Sequence, residues 1–518
     1  MRGAAAGRQR PRARRALALA GIGTALAFGA GGGSTALAAS YSGTAQNGFI
    51  APVRVASSTG LGEPTIVHDH GAGNGGVDRL FVTAPQGLGS AQAGGSPLFT
   101  SIDGGATWGA PVRSVACTGL SGGDTDLTVD GSGNVYQTDL SLANSCLSVS
   151  EDHGATFAGG DAFGSNLQPG DDRPWIVWNK ISNQNYLDWD GLDALHSGNT
   201  AYIAAPFPLG TQVTQDTAVV PESAVNTSNT PDSVRECVCP PGGIAVDDTS
   251  GAHSGRVYVS YSYQHGTAVS YSDLTGTGCP APPAPGPPSG VCTANLTWTG
   301  PVAVPNSDPD STGSAFTNEF NFDPIRVDGN GNAYVMWAHG VSFNTSTNVA
   351  ASVQEEYAYS TDGGATWSNP ILLSTEGGTT TLPTMDVVGP GVVDFAWYGA
   401  PQSTDPNKAA GPWNVYYERV SNAATATPTI TTGPEVAIAG MHTGCIQTGG
   451  GASCTDRSLL DFFTLTDTQC TANIIYTGGD VSAGVDLYFT KLANCGSNPV
   501  VPESPWAPLL LLPGGAVA

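Results

Sequence analysis

The stretch Ser101-Ile102-Asp103-Gly104-Gly105-Ala106-Thr107-Trp108 returns almost letter for letter as Ser360-Thr361-Asp362-Gly363-Gly364-Ala365-Thr366-Trp367. A looser copy reads Ser150-Glu151-Asp152-His153-Gly154-Ala155-Thr156-Phe157. Each part of the pattern suits a tight hairpin. Asp bonds the amides of its own turn, Gly takes positive φ, Thr ties back to the loop, and the aromatic packs as the next strand starts. A repeated hairpin of this kind implies an architecture of repeated small sheets.

Composition agrees. With 70 Gly and 37 Pro in 518 residues and only 12% charged side chains, the chain reads as many short strands joined by turns. A second repeat, apolar strand then turn then apolar strand, sets the number of sheets. It runs as Leu127-Thr128-Val129 to Val135-Tyr136 across Asp130-Gly131-Ser132-Gly133-Asn134, and as Ile325-Arg326-Val327 to Ala333-Tyr334 across Asp328-Gly329-Asn330-Gly331-Asn332. Longer or weaker versions are Ile66-Val67 to Phe81-Val82, Ile176-Val177 to Ala201-Tyr202-Ile203, Ile244-Ala245-Val246 to Val257-Tyr258-Val259, Val387-Val388 to Val392-Val393-Asp394-Phe395, and Phe462-Phe463-Thr464-Leu465 to Ile474-Ile475-Tyr476. These seven units predict an all-β, seven-bladed β-propeller, with six blades as the alternative. Each unit supplies the inner two strands of a blade, and the Asp-Gly hairpin turns between the outer two.

Outer strands carry their own signature in Trp108-Gly109-Ala110-Pro111-Val112, Trp298-Thr299-Gly300-Pro301-Val302 and Trp367-Ser368-Asn369-Pro370-Ile371. Asn47-Gly48-Phe49-Ile50-Ala51-Pro52-Val53 matches it yet precedes the first inner strand, so it is expected to complete the last blade.

The hairpin spelling is that of the Asp box, and the chain resembles the sialidase superfamily and other Asp-box (BNR-repeat) β-propellers. For a catalytic sialidase the resemblance implies three Arg gripping a substrate carboxylate, a Tyr–Glu nucleophile pair, an Asp acid/base and an early Arg-Ile-Pro motif. No Arg-Ile-Pro is present; Arg173-Pro174 comes nearest, in the third unit. Catalytic sialidase domains are six-bladed, so a count of seven is a second departure. Arg173, Arg326 and Arg457 each accompany an inner strand and are the arginine candidates, with Asp172 and Asp126 as candidate acids. Tyr416-Tyr417-Glu418-Arg419 offers Tyr and Glu but is expected on an outer strand, away from the axis.

The start of the chain carries Arg8, Arg10, Arg12, Arg14 and Arg15, then an apolar run to about Ala30 and Ala36-Leu37-Ala38. This is the layout of a secretory signal peptide spanning residues 1–39, with cleavage after Ala38 or Ala39; Arg14-Arg15 leaves a twin-arginine route open. The propeller is assigned residues 40–497. Residues 498–518, in which Val501-Pro502-Glu503-Ser504-Pro505-Trp506 precedes the apolar run Ala507 to Ala518, form a tail that reads equally as a sorting signal or a disordered end. Removing residues 1–38 takes away six Arg and no acid, so 12 bases face 43 acids and the net charge moves from −25 to −31. Such a field excludes nucleic acid and an anionic membrane as partners. The expected protein is secreted or cell-surface associated, monomeric, and not inserted in a membrane.

Ten Cys in an exported chain imply disulfides. Nearest-neighbour spacing pairs Cys117 with Cys146, Cys279 with Cys292 around the Pro280–Pro288 loop, Cys445 with Cys454, and Cys470 with Cys495; Cys237 and Cys239 are left over.

Propellers bind ligands where loops lead into the innermost strands. The polar residues there are Glu63, Asp124, Asp126, Asp171-Asp172-Arg173-Pro174-Trp175, Glu319, Asp323, Asp386 and Asp456-Arg457. Asp172-Arg173 and Asp456-Arg457 read either as a ligand grip or as ion pairs between blades. Trp175, Asp323, Trp337 and Tyr398 are candidate ligand contacts, the aromatics serving as sugar-stacking faces or as core. The two Asp-Gly-x-Gly-Asn turns resemble the opening of a calcium loop but lack its closing Glu, with His339 at the expected place in one. No cofactor is expected, and the histidines form no metal motif. Two functional readings stand. One is recognition of an extracellular glycan or protein at the axial face; the other is an exo-sialidase-type glycoside hydrolase with divergent motifs. Convergence of the three arginines on one pocket with a Tyr and a carboxylate discriminates between them.

Overall fold

The computed structural model describes residues 42–56, 61–71, 76–85, 95–114, 121–141, 145–162, 171–191, 200–207, 216–219, 242–263, 266–275, 295–307, 322–344, 349–403, 406, 409–446, 454–468, 471–480 and 484–493. The signal-peptide and tail assignments, Glu319, the Pro280–Pro288 loop and Cys117, Cys237, Cys239, Cys279, Cys292, Cys470 and Cys495 lie outside them.

Every regular element among the described residues is a strand, and the strands form a β-propeller-like arrangement. Two short strands come first, β1 (Thr44–Ala45) and β2 (Val53–Ala56). A four-stranded sheet follows from β3 (Thr65–Asp69), β4 (Arg79–Thr83), β5 (Pro97–Ser101) and β6 (Val112–Arg113). The second comprises β7 (Ser121–Val129), β8 (Val135–Ser141), β9 (Ser145–Ser150) and β10 (Ala158–Ala162), and the third β11 (Asp171–Asn179), β12 (Gln184–Gly191), β13 (Thr200–Phe207) and β14 (Asp216–Ala218). The fourth comprises β15 (Gly243–Val246), β16 (Val257–Tyr263), β17 (Gly266–Thr275) and β18 (Asn295–Ala303), and the fifth β19 (Ile325–Val327), β20 (Ala333–Asn344), β21 (Val349–Ser360) and β22 (Ile371–Leu372).

The remaining strands share one nine-stranded sheet. It holds β23 (Thr379–Gly389), β24 (Val392–Ala400), β25 (Trp413–Ser421), β26 (Thr429–His442), β27 (Thr464–Thr468), β28 (Thr471–Asp480) and β29 (Gly484–Lys491), together with β1 and β2. Among the described residues, the strand pairing between β23–β26 and β27–β29 is a parallel bridge of His442 with Gly479. The N-terminal β2 pairs antiparallel with β29, setting Val53 opposite Phe489.

One sequence-based pairing is corrected. Ile176-Val177 does not pair with Ala201-Tyr202-Ile203. Strand β12 intervenes, with Ile176 opposite Leu187, and Ile203 stands one strand further out, opposite Asp188. Asn185 and Asp188 are fully buried on β12, and these polar residues disguise a core strand as a loop.

Sheets stack face to face through apolar side chains. Phe81, Leu98, Leu127 and Val135 join the first two sheets, and Val55, Ile66, Leu80, Phe99, Ile475, Leu487 and Phe489 join the end of the chain to its start. The Asp-Gly hairpins lie between β5 and β6, β9 and β10, and β21 and β22. In each, one Asp carboxylate collects the Thr backbone amide and hydroxyl: Asp103 with Thr107 at 2.9 and 2.6 Å, Asp152 with Thr156 at 2.7 and 2.6 Å, Asp362 with Thr366 at 2.9 and 2.6 Å. Those bonds, the Thr107 hydroxyl first, hold the Asp103 carboxyl down at about 2.

The second glycine of the motif has a further task. Gly105 sits at φ +86°, and a Cβ there would lie 2.0 Å from the Phe489 ring; Gly154 presses likewise on Phe81, and Gly364 on Tyr258. The hairpin therefore wedges its sheet against the preceding one, besides turning the chain.

Candidate functional site

The first strands of the sheets, together with β27, line an axial cavity of about 410 Å³. Their facing edges are tied across the gaps between sheets by side chains that cap backbone amides. Thr464 Oγ1 accepts from Ile66 N at 2.8 Å, Asp126 Oδ2 from Ile176 N at 2.9 Å, Thr128 Oγ1 from Trp178 N at 3.0 Å, and Asp386 Oδ2 from Asp467 N at 2.8 Å. Asp126 is thus a strut between two sheets as well as a cavity-lining residue. Burial pushes its carboxyl up to about 6, although the Ile176 and Leu127 amides and the Arg326 charge pull the other way.

At the face where these strands begin, the inlet face, Arg173 is enclosed by carboxylates. Its Nη1 meets Glu63 Oε2 at 2.9 Å, its Nε meets Asp124 Oδ2 at 3.2 Å, and its Nη2 pairs with Asp461. The guanidinium also lies 5.0 Å from the Phe322 ring centroid. Arg457 grips the same Asp461 carboxylate with both terminal nitrogens, one of them at 2.7 Å, and Asp461 N donates to Glu63 Oε1 at 3.0 Å.

The carboxyls of this cluster are driven apart. Burial holds Glu63 well above the usual range despite Arg173, with the charges of Asp124 and Asp461 adding to the rise. For Asp461, burial is outweighed by Arg173 and Arg457, and its carboxyl lies below the usual value. The two carboxyls are thus displaced in opposite directions, Glu63 upward by burial and Asp461 downward by its two arginines.

The local chain geometry is unusual here. Glu63 and Arg173 both take left-handed φ, at 48° and 53°, and Leu382 does so at 57°. Each precedes a proline, where such a backbone costs of order 1–3 kcal/mol. Asp323-Pro324 occupies the equivalent place before β19. This recurring x-Pro, seen in Glu63-Pro64, Arg173-Pro174, Asp323-Pro324 and Leu382-Pro383, marks where the chain turns into the cavity wall. It is the signal in the sequence that locates the inlet face.

Across the axis, Trp175, Phe322 and Phe462 meet as a trio, with ring centroids 5.2, 5.0 and 5.7 Å apart. They come from three separate sheets and form the inlet end of the cavity lining. Phe322, Phe462 and Asp461 were not singled out as functional by sequence reasoning. Their role depends on partners more than 100 residues away, and only Asp461, four residues after Arg457, leaves a local trace.

The three arginines do not converge. Arg173 and Arg457 meet on Asp461, whereas Arg326 lines the cavity, with Nε 3.5 Å from Asp386 Oδ1 and Nη1 donating to Ile325 O at 2.8 Å. No tyrosine is among their described partners. Tyr417 and Glu418 are neighbours on β25, so they point to opposite faces of the sheet. Tyr417 and Arg419 both bond Asp394, Arg419 with two 2.6 Å contacts, while Glu418 is buried on the other side.

Of the remaining candidates, Asp172 lies on β11 with its backbone opposite Asp190, and its side chain is not among those described. Trp337 is fully buried between the fourth and fifth sheets, and Tyr398 is buried and stacked on Phe463 at 4.2 Å. Neither lines the cavity, because both sit on second strands whose side chains fill the gaps between sheets. Asp323 is buried, and its carbonyl accepts from Ser260 Oγ. In the Asp-Gly-x-Gly-Asn turns, the Asp130 and Asp328 carboxylates collect amides of their own loops together with Tyr136 and Tyr334 hydroxyls. Among the described residues no three acidic, His or Cys side chains are grouped to hold a metal, and no helix is long and apolar enough to cross a membrane. Cys445 and Cys454 form a disulfide; Cys146 is also disulfide-bonded, its partner lying outside the described residues.

No protein-family model matches the chain, and no curated protein matches it. Solved structures similar to it include a polysaccharide lyase described as an ulvan lyase, bound to -[GlcA(1-4)Rha3S]-, at 10% identity and TM-score 0.49, covering 85% of this chain and 96% of that one. An α-L-arabinanase of Penicillium chrysogenum complexed with arabinobiose stands at 12% and 0.40, covering 86% and 98%. An intramolecular trans-sialidase from Ruminococcus gnavus stands at 13% and 0.38, covering 85% and 95%. At these values the likeness assigns no activity.

Proposed function

We propose that the chain is a secreted, seven-bladed Asp-box propeller that recognises an extracellular glycan or protein through its inlet face and axial cavity. The blade count rests on reading the nine-stranded sheet as two blades, β23 to β26 and β27 to β29 with β2, since their strand pairing among the described residues is a single parallel bridge. Pairing of β2 with β29 then locks the ring.

One observation carries the functional reading. Arg173, the residue best placed to grip a substrate carboxylate, has all three nitrogens committed to Glu63, Asp124 and Asp461. A guanidinium neutralised in this way organises a face; it does not seize an anionic sugar. Expected behaviour is saturable binding to an extracellular polysaccharide or protein without turnover. A panel of fluorogenic sialosides and other glycosides, run beside glycan-array binding, tests it: turnover of any substrate, lost in Glu63→Gln with folding intact, overturns the binding-only reading.

A second reading is supported by the Glu63–Asp461 pair. Burial raises the Glu63 carboxyl while Arg173 and Arg457 lower that of Asp461, and carboxyls displaced in opposite directions at one face are the kind of groups that acid–base chemistry uses. It predicts activity in that same panel, with Glu63 as the acid.

A further inference from the structure

Acids are sealed into the gap between the fifth and sixth sheets. The apolar contact there is made by Tyr357 of β21, Phe395 and Trp397 of β24, and Tyr416 and Val420 of β25. Side chains two residues apart on a strand share a face, so Glu355, two before Tyr357, and Glu418, between Tyr416 and Val420, enter the same gap. Both are fully buried, and none of their carboxylate oxygens has a described hydrogen-bond partner. Thr380 stands beside Glu355, but its hydroxyl donates to Val353 O at 3.0 Å. Glu376 reaches the gap from the connection between β22 and β23. It is half-buried, with Oε1 accepting from Trp397 Nε1 at 2.6 Å and Oε2 without a described partner.

The charges that act most strongly on these acids have their own sign. Glu376, Glu356 and Asp323 bear on Glu355, and Glu376 bears on Glu418. Phenols complete the surroundings, Tyr357 and Tyr359 from the fifth sheet and Tyr416 from the sixth. The cations nearest in the chain are turned away. Arg419 follows Glu418 on β25 and so faces the other side, where it grips Asp394 with two 2.6 Å contacts. His339 shares a face of β20 with Trp337, toward the fourth sheet, and pairs with Glu356 at 3.1 Å. A carboxyl buried without a cation is far less costly protonated than ionised. Burial raises all three, Glu418 up to about 8, and the Trp397 N–H pulls Glu376 the other way.

We propose that this gap is a pH-sensitive seam: with Glu355, Glu376 and Glu418 protonated the fifth and sixth sheets stay closed on one another, and their ionisation as pH rises parts the sheets along β21 and β25.

The sign follows from where the proton is held. A glutamate in water loses it near 4.5, whereas the closed seam keeps it to higher pH. Closure is therefore complete in acid and weakens as pH rises above about 4.5, through about 8 for Glu418. Glu376, the least buried of the three, ionises first, and its charge then bears on the other two. The seam also bears on the inlet face, because the connection that carries Glu376 leads into Leu382-Pro383 on β23.

Hydrogen exchange of the full chain, read by mass spectrometry at pH 4.5 and pH 8.5 and corrected for the intrinsic rate, tests the seam. Peptides from β21 and β25 report it. Peptides from β4 and β29 are the reference, since the gap they line is packed with Leu80, Val82, Leu487 and Phe489. Each pH unit over which the closed form alone keeps a proton changes the opening equilibrium about tenfold. Exchange in β21 and β25 should thus be at least about tenfold faster at pH 8.5, with the reference changing less than about twofold. Glu355→Gln keeps the shape and has no proton to lose, so the rise should shrink. Should that variant fail to fold, Glu376→Gln at the half-buried position serves in its place, because it removes a proton and also the charge acting on Glu355 and Glu418. Equal acceleration in the reference peptides means that the ring loosens as a whole and overturns a local seam. No acceleration in the wild type, or one that persists undiminished in Glu376→Gln, overturns the proposal outright.

Discussion

Glu418 offers the most exacting check on the packing. It lies on β25 opposite Phe395, is fully buried, and neither of its carboxylate oxygens has a described hydrogen-bond partner. Burial pushes its carboxyl from 4.5 up to about 8, with the nearby Glu376 charge adding to the rise. Tyr357, across the gap on the fifth sheet, is raised as well, first by burial and then by Glu418. Below about pH 4.5 the folded and unfolded chains both hold this proton. Between 4.5 and about 8 only the folded chain keeps it, so stability falls as pH rises through that window and levels off above it.

At about 1.4 kcal/mol per pH unit, that interval sets a ceiling of about 5 kcal/mol. Relaxation and water entry reduce it, and about 2–3 kcal/mol is the expected size. Glu418→Gln keeps the shape and removes the proton. Urea unfolding monitored by tryptophan fluorescence at pH 4.5 and pH 8.5 should give variant and wild type similar stabilities at the lower pH. At the higher pH the variant should be more stable by about 2–3 kcal/mol. A difference that is the same at both pH values, or a variant less stable at pH 8.5, would refute the account of a neutral acid sealed in the gap between the sheets.

Two further outcomes follow from the inlet face and the hairpins. Arg173→Ala strands Glu63, Asp124 and Asp461 without their shared cation and should cost about 3–5 kcal/mol by the same unfolding assay. Arg457→Ala, whose side chain is 38% exposed, should cost about 1 kcal/mol or less, and equal losses would mean that the cluster is not organised around Arg173. Gly105→Ala forces a Cβ into Phe489 at positive φ and should lower the melting temperature far more than Gly104→Ala, whose Cβ would meet only the flexible end of Lys491 at 3.1 Å. Similar losses at the two glycines would show that the wedge contributes nothing beyond the turn.

Local patterns were legible wherever the partners of a residue lie close in the chain. The Asp103, Asp152 and Asp362 hairpins, the Asp130 and Asp328 turns, and the alternation of apolar strands all satisfy themselves within a few residues, so their spelling reveals their geometry. Cys445 and Cys454, nine residues apart, were readable for the same reason. Strand β12 was not, because its buried Asn185 and Asp188 break the apolar alternation that sequence reading relies on.

By itself, then, the sequence determined the class of architecture: repeated antiparallel sheets latched by Asp-Gly hairpins. The tertiary structure alone decided what the charged residues near the axis do. Arg173 meets Glu63 and Asp461 from the two ends of the chain, and Trp175 meets Phe322 and Phe462 from other sheets. Whether a guanidinium is free to grip a ligand depends on how many carboxylates the fold brings around it. That is a property of distances across the axis, which the order of residues along the strands does not contain.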